Sequence, residues 1–267
     1  MTGNREKILL VLSPFPKLSK LDIENFLPSH SSSIFTTSKL TSLKLFLSYE
    51  EKGQYTLVQF AQILRQHPTL EELDLNCRAI PQSGTLGSPV PFVLPRLVNL
   101  RLFGSKKAIV GLIDLIGMSS PLHKVFIRFD HTSDLTIPAL VGAMEKIVTP
   151  YYNCQGLGSH RKIETLTVLS SPNGLHLTFY AGTRSAPPSN LVIRLCWMGE
   201  LAHGNVVAET FGLLPSSDVQ EFTVDGLPLT RRMLQGMREL SRLRLHNQNG
   251  LYISQGLGSL SLDSQGL

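Results

Sequence analysis

One spacing constrains this chain more than any other feature. Leu-x-x-Leu-x-Leu, with Ile, Val or Phe as substitutes, occurs as Leu18/Leu21/Ile23, Leu40/Leu43/Leu45, Leu70/Leu73/Leu75, Leu97/Leu100/Leu102 and Leu122/Val125/Ile127. It returns as Ile163/Leu166/Val168, Val219/Phe222/Val224 and Leu240/Leu243/Leu245, with an echo at Leu257/Leu260/Leu262. A spacing of three then two fits neither the period of a helix nor the plain alternation of a strand. It does fit a repeated unit. The first residue turns the chain into the core, and the next two are the inward side chains of a short strand.

Segments of helical period lie between several of these phrases. Leu57, Phe60, Ile63 and Leu64 make one apolar face after Thr56, and His67-Pro68 ends it. Ile109, Leu112, Ile113 and Ile116 repeat the scheme, as do Leu140, Met144 and Ile147 behind Pro138 in a first helical turn. Thr230 is placed to cap a further helix carrying Leu234 and Met237. Parallel strands need such crossovers to return to the same edge of a sheet. The fold class expected is therefore α/β: an irregular leucine-rich-repeat solenoid, wound right-handedly, with a parallel sheet on the concave face and helices and loops on the convex face.

The array is irregular, because intervals between first-position residues run from 17 to 56 residues, whereas a regular array keeps one length of roughly 20 to 29. The long interval from Ile163 to Val219 contains two alternating runs, Leu175-x-Leu177-x-Phe179 and Leu191-x-Ile193-x-Leu195. They read either as degenerate units or as an inserted hairpin. "IPQSGTLGSPVP" (80–91) and "GTRSAPPSN" (182–190) read as exposed loops. Three regions follow: an N-terminal cap segment 1–17, the repeats 18–248, and a Gly/Ser-rich tail 249–267 expected to cap nothing.

With 267 residues, 42% of them hydrophobic, the chain is long enough to bury a sizeable core. Its net charge of +5 comes from scattered basic residues rather than a concentrated stripe, which argues against nucleic acid as a partner. Cys77, Cys154 and Cys196 are far apart and lack metal-ligand spacing, so a reduced, intracellular compartment, cytoplasmic or nuclear, is expected. Ile8–Leu12 is shorter than a signal-peptide core and reads as a buried element. No run approaches the roughly 18 apolar residues of a membrane span.

"LEELDL", "LPRLVNLRLFG", "HLTFYAG" and "SDVQEFTVDGLPLTRRML" resemble the leucine-rich C-terminal region of the F-box proteins abundant in mushroom-forming fungi, over residues 18–248. The resemblance implies a substrate receptor of a cullin-type ubiquitin ligase, in which an F-box grips the ligase adaptor and the repeats grip the target. Here "MTGNREKILLVLSPFPK" precedes the first phrase, shorter than the helical F-box of about forty residues that the family carries. Adaptor docking is accordingly not expected of this chain.

No catalytic signature appears: neither His-Glu-x-x-His nor Gly-x-Ser-x-Gly is present, and "GLGSH" (156–160) lacks the Lys-Ser/Thr of a phosphate loop. The expectation is a non-enzymatic protein-protein interaction module with no cofactor, metal or catalytic residue, whose protein partner the sequence does not name. The alternative is a GTPase-regulating or other enzyme-associated repeat protein.

The strand period assigns the binding face. Inward residues at the fourth and sixth positions put the third, fifth and seventh on the opposite, concave face. These are Ser42, Lys44 and Phe46; Glu72, Asp74 and Asn76; Asn99, Arg101 and Phe103; and Lys124, Phe126 and Arg128. Aromatic residues beside arginines have the composition of interface hot spots. The candidate partner-binding residues are therefore Lys44, Phe46, Arg101, Phe103, Phe126 and Arg128, with Arg242, Arg244 and His246 as a second basic group. Two features count against this reading: Lys44, Asp74 and Arg101 are placed to satisfy one another, and the seventh-position phenylalanines can fold back into the turn.

Overall fold

A computed structural model describes residues 17–25, 28, 30–36, 39–46, 55–76, 90–117, 122–130, 137–152, 163–171, 174–181, 189–197, 218–226, 231–234 and 236–246. The expected N-terminal cap segment, except its last residue Lys17, "GLGSH", Cys77, Cys154, Thr230, most of both long loops and the tail fall outside them.

Each of the eight phrases delivers its second and third residues into a strand. The strands are β1 (Lys20–Glu24), β2 (Ser42–Phe46), β3 (Glu72–Asn76), β4 (Phe92–Val93), β5 (Asn99–Gly104), β6 (Ile116–Gly117), β7 (Lys124–Phe129), β8 (Ile163–Ser171), β9 (Gly174–Ala181), β10 (Ser189–Trp197), β11 (Glu221–Asp225) and β12 (Arg242–His246). All but β4 and β6 form one sheet in the order β1-β2-β3-β5-β7-β10-β9-β8-β11-β12, while β4 and β6 pair separately.

Five of the parallel junctions use the same pair of hydrogen bonds. The carbonyl of Ser19, which follows first-position Leu18, accepts from the Thr41 and Ser42 amides at 2.7 and 3.1 Å. The Thr41 carbonyl accepts from Glu71 and Glu72, that of Glu71 from Val98 and Asn99, that of Val98 from His123 and Lys124, and that of Gln220 from Ser241 and Arg242. Identical bonding fixes identical register. With the pairings of β8, β9 and β10 added, one row of aliphatic positions crosses all ten strands: Leu21, Leu43, Leu73, Leu100, Val125, Ile193, Leu177, Val168, Val224 and Leu245. From Leu43 to Val125, this row is essentially without solvent exposure.

Helices cover that inward face. α1 (Ser33–Thr36) follows β1, and α2 (Leu57–Arg65) begins with a capping box in which the Thr56 hydroxyl accepts from the Gln59 amide and the Gln59 side chain accepts from the Thr56 amide. The next, α3 (Lys106–Leu115), starts at Ser105, whose hydroxyl accepts from the Ala108 amide. Pro138 sits in the first turn of α4 (Ile137–Tyr152). Phe60, Ile63 and Leu64 of α2, Ile109, Leu112 and Ile113 of α3, and Met144 and Ile147 of α4 join the phrase residues in one buried cluster. The short α5 (Arg231–Leu234) ends earlier than the sequence suggests: Gly236 turns the chain at φ 105°, and Met237 is buried beyond the helix rather than on its face. Buried Met237 matches Leu94 and His67, each three residues before a first-position leucine, so His67 fills a slot that apolar residues fill elsewhere.

The fully parallel sheet requires a correction at one strand. β9 runs antiparallel to both β8 and β10, and β10 rather than β8 lies beside β7. Residues 163–197 thus cross over two positions and fold back as a meander, the inserted-hairpin reading rather than further repeat units. Hairpins need only short turns, whereas another parallel strand would need a crossover, and 182–188 is too short for one.

Candidate functional site

Outward positions on β2, β3, β5 and β7 stand in register as three rows. The fifth-position row reads Asp22, Lys44, Asp74, Arg101 and Phe126. The third-position row reads Lys20, Ser42, Glu72, Asn99 and Lys124. At the seventh position, Asn76, Phe103 and Arg128 are aligned on β3, β5 and β7.

The three candidate phenylalanines meet. Phe103 lies 5.2 Å from Phe126 and 5.7 Å from Phe46, centroid to centroid, with the Phe46 contact edge to face. Phe46 belongs to β2 and Phe103 to β5, so their contact spans β3, whose outward Asn76 is buried. They do not fold back into the turns: Phe46 keeps 43% of its surface exposed, and Phe103 and Phe126 are half-buried. Aromatic pairs at this separation contribute about 0.5 to 1.5 kcal/mol beyond their buried area.

Among the charges, part of the row is satisfied internally. Arg101 Nη1 stands 3.7 Å from Asp74 Oδ2, and the arginine remains largely exposed while Asp74 is buried beneath it. Burial holds the Asp74 carboxyl above its ordinary range, partly offset by Arg101 and Lys44 and reinforced by Glu72 and Asp22. Its Oδ1 is buried without a hydrogen-bond partner. Glu72 accepts from the Ser42 hydroxyl at 2.9 Å. Lys124 and Arg128 are exposed.

Phe103, Phe126, Arg101, Lys124, Glu72, Asn99 and Val125 line a groove of about 610 Å³. Lys124 belongs to the site by geometry although the candidate list passes over it. Its third position in the phrase, which the strand period already put on this face, was the available signal, and it pairs with Asn99. The second basic group is not brought to this groove. Arg242, Arg244 and His246 lie on β12, five strands from β7, or roughly 24 Å of sheet. Arg242 is also engaged by Glu221 at 2.6 Å on the neighbouring strand.

Among the described residues, no group of three or more His, Cys, Asp or Glu side chains is arranged to hold a metal ion, and no helix is long and apolar enough to cross a membrane. His123 is exposed just before β7, and His176 lies on β9. Comparison with protein-family models, curated proteins and solved structures finds no match to this chain.

Proposed function

We propose that the chain is an irregular leucine-rich-repeat solenoid that acts as an intracellular, non-enzymatic interaction module. On this reading it binds a protein partner on its outward, concave strand face, in the manner of the recognition half of an F-box ubiquitin-ligase receptor. The observation that supports it most is the continuous cluster Phe46-Phe103-Phe126, flanked by Arg101 and Arg128 and left accessible to solvent. The three rings form a contiguous cluster rather than an isolated exposed residue, and aromatic and arginine side chains are the residues that carry interface energy. Lys44 and the Arg101–Asp74 pair then serve as the polar surround, and β12 as a separate patch.

The test uses a partner obtained by affinity capture and a Phe103→Ala/Phe126→Ala double variant. The control is Gln62→Ala, an exposed position on α2 across the core from the strand face. Loss of two hot-spot aromatics should weaken binding by roughly 30-fold or more. A double variant that folds normally and binds as tightly as the control removes the face from consideration.

A further inference from the structure

The charges around the groove are not balanced, and the imbalance specifies what the groove takes. Its two carboxylates are committed to the protein itself: Asp74 lies buried under Arg101, and Glu72 accepts from the Ser42 hydroxyl. Cations dominate what remains open to solvent. Arg101 keeps more than half of its side-chain surface despite its ion pair, Lys124 and Arg128 are exposed, and neither of the last two makes an ion pair among the described residues. They stand on β7 at the third and seventh positions of the phrase that begins at Leu122, with Phe126 between them at the fifth and Phe103 beside them on β5. An apolar floor is thus edged by three accessible positive charges.

Resting on the reading of this face as a binding surface, we propose that its occupant is an acidic, extended peptide segment of a partner protein. An aromatic or large aliphatic side chain of the peptide seats against Phe103 and Phe126, and its carboxylates engage Lys124, Arg128 and the outer edge of Arg101. Such charge complementarity sets specificity and association rate more than raw affinity. The same inventory of cations and aromatics also serves single-stranded nucleic acid, whose bases stack on ring faces. Two observations favour the peptide. Interplanar angles of 64° and 46° turn the three rings against one another rather than presenting parallel platforms for bases. Asp22 and Glu24 are exposed on β1 at the near edge of the sheet, where a nucleic acid continuing past Phe46 must bring a phosphate at every residue, whereas a peptide can place uncharged residues there.

The experiment selects displayed random peptides on the immobilised 267-residue protein. Peptides about twelve residues long suffice, since an extended chain advances ~3.3 Å per residue and so crosses the patch. Enriched peptides are then synthesised, and their binding is measured by fluorescence anisotropy against the parent, Lys124→Glu/Arg128→Glu, Phe103→Ala/Phe126→Ala, and a Lys107→Glu control on α3. The proposal expects net-negative sequences carrying an aromatic or large aliphatic residue. Their affinity should fall about tenfold or more in the charge-reversed variant, stay unchanged in Lys107→Glu, and weaken as salt rises from about 50 to about 500 mM. No enrichment, enrichment of neutral or basic peptides, or indifference to charge reversal overturns it, as does tighter binding of an oligouridylate than of any enriched peptide. If the phenylalanine variant loses binding while the charge-reversed variant keeps it, the face remains a binding surface and the acidic partner falls. If neither variant matters, both readings fall.

Discussion

Leu73→Ala tests the row that organises the fold. Leu73 is fully buried at the middle of the phrase, with Leu43 beside it on β2 and Leu100 on β5. The substitution removes the equivalent of three methylene groups, about 2.4 kcal/mol at ~0.8 kcal/mol each. A cavity walled on both sides by fixed leucines cannot collapse, which raises the cost to about 3 to 4 kcal/mol. Leu245 occupies the same row on β12, but it is only partly buried and has a strand neighbour, Val224, on one side alone. Its replacement by Ala should cost about 1 kcal/mol, since less area leaves water and the edge can relax. Urea unfolding followed by far-ultraviolet circular dichroism gives both values from the shift in midpoint at constant slope. Should Leu73→Ala leave no cooperative transition, Leu73→Met, which conserves volume, should keep one. A cost under about 0.5 kcal/mol at Leu73, or a cost at Leu245 as large as at Leu73, would refute the argument that one aliphatic row runs through the sheet with its core on β2, β3 and β5.

Two further outcomes follow from single side chains. Burial raises the Asp74 carboxyl above its ordinary range, so its contribution to stability is complete below the unfolded value of about 3.9 and is lost as the pH rises through the higher folded value. Asp74→Asn, which has no proton to lose, should therefore gain on the parent in urea midpoint as pH rises from about 3 to about 7; a gap that stays flat or closes with rising pH would contradict the assignment. Thr56→Ala breaks the capping box of α2 and should cost about 1 kcal/mol by the same assay, whereas Gln62→Ala in the exposed middle of that helix should change almost nothing.

The leucine phrase made much of the fold legible because it records two local facts: where a short strand lies and which of its sides faces the core. Those facts place Leu73 and Leu75 inward and send Lys44, Phe46, Arg101, Phe103, Phe126 and Arg128 outward, with no knowledge of the neighbouring strands. Helix starts were legible for the same reason, since Thr56 and Pro138 act within one turn. Neighbourhood is a different kind of information. Nothing in residues 163–197 states that β10 will displace β8 from the side of β7, because alternation looks alike in a parallel unit and in a meander. Pairing between the segments decided it: β9 lies antiparallel between β8 and β10, and β10 takes the place beside β7. Likewise the sequence put Phe46 and Phe103 on one face, but only the tertiary structure brought their rings into contact across β3. Register also brought Arg101 to Asp74 and Arg242 to Glu221, while Lys124 in the groove and Arg128 beside Phe103 stay exposed without an ion pair among the described residues. Side-chain direction is fixed by bonds within a residue or two, whereas the partner of Arg242 across the sheet, Glu221, is fixed by backbone pairing between strands whose contacting residues lie 21 apart in sequence.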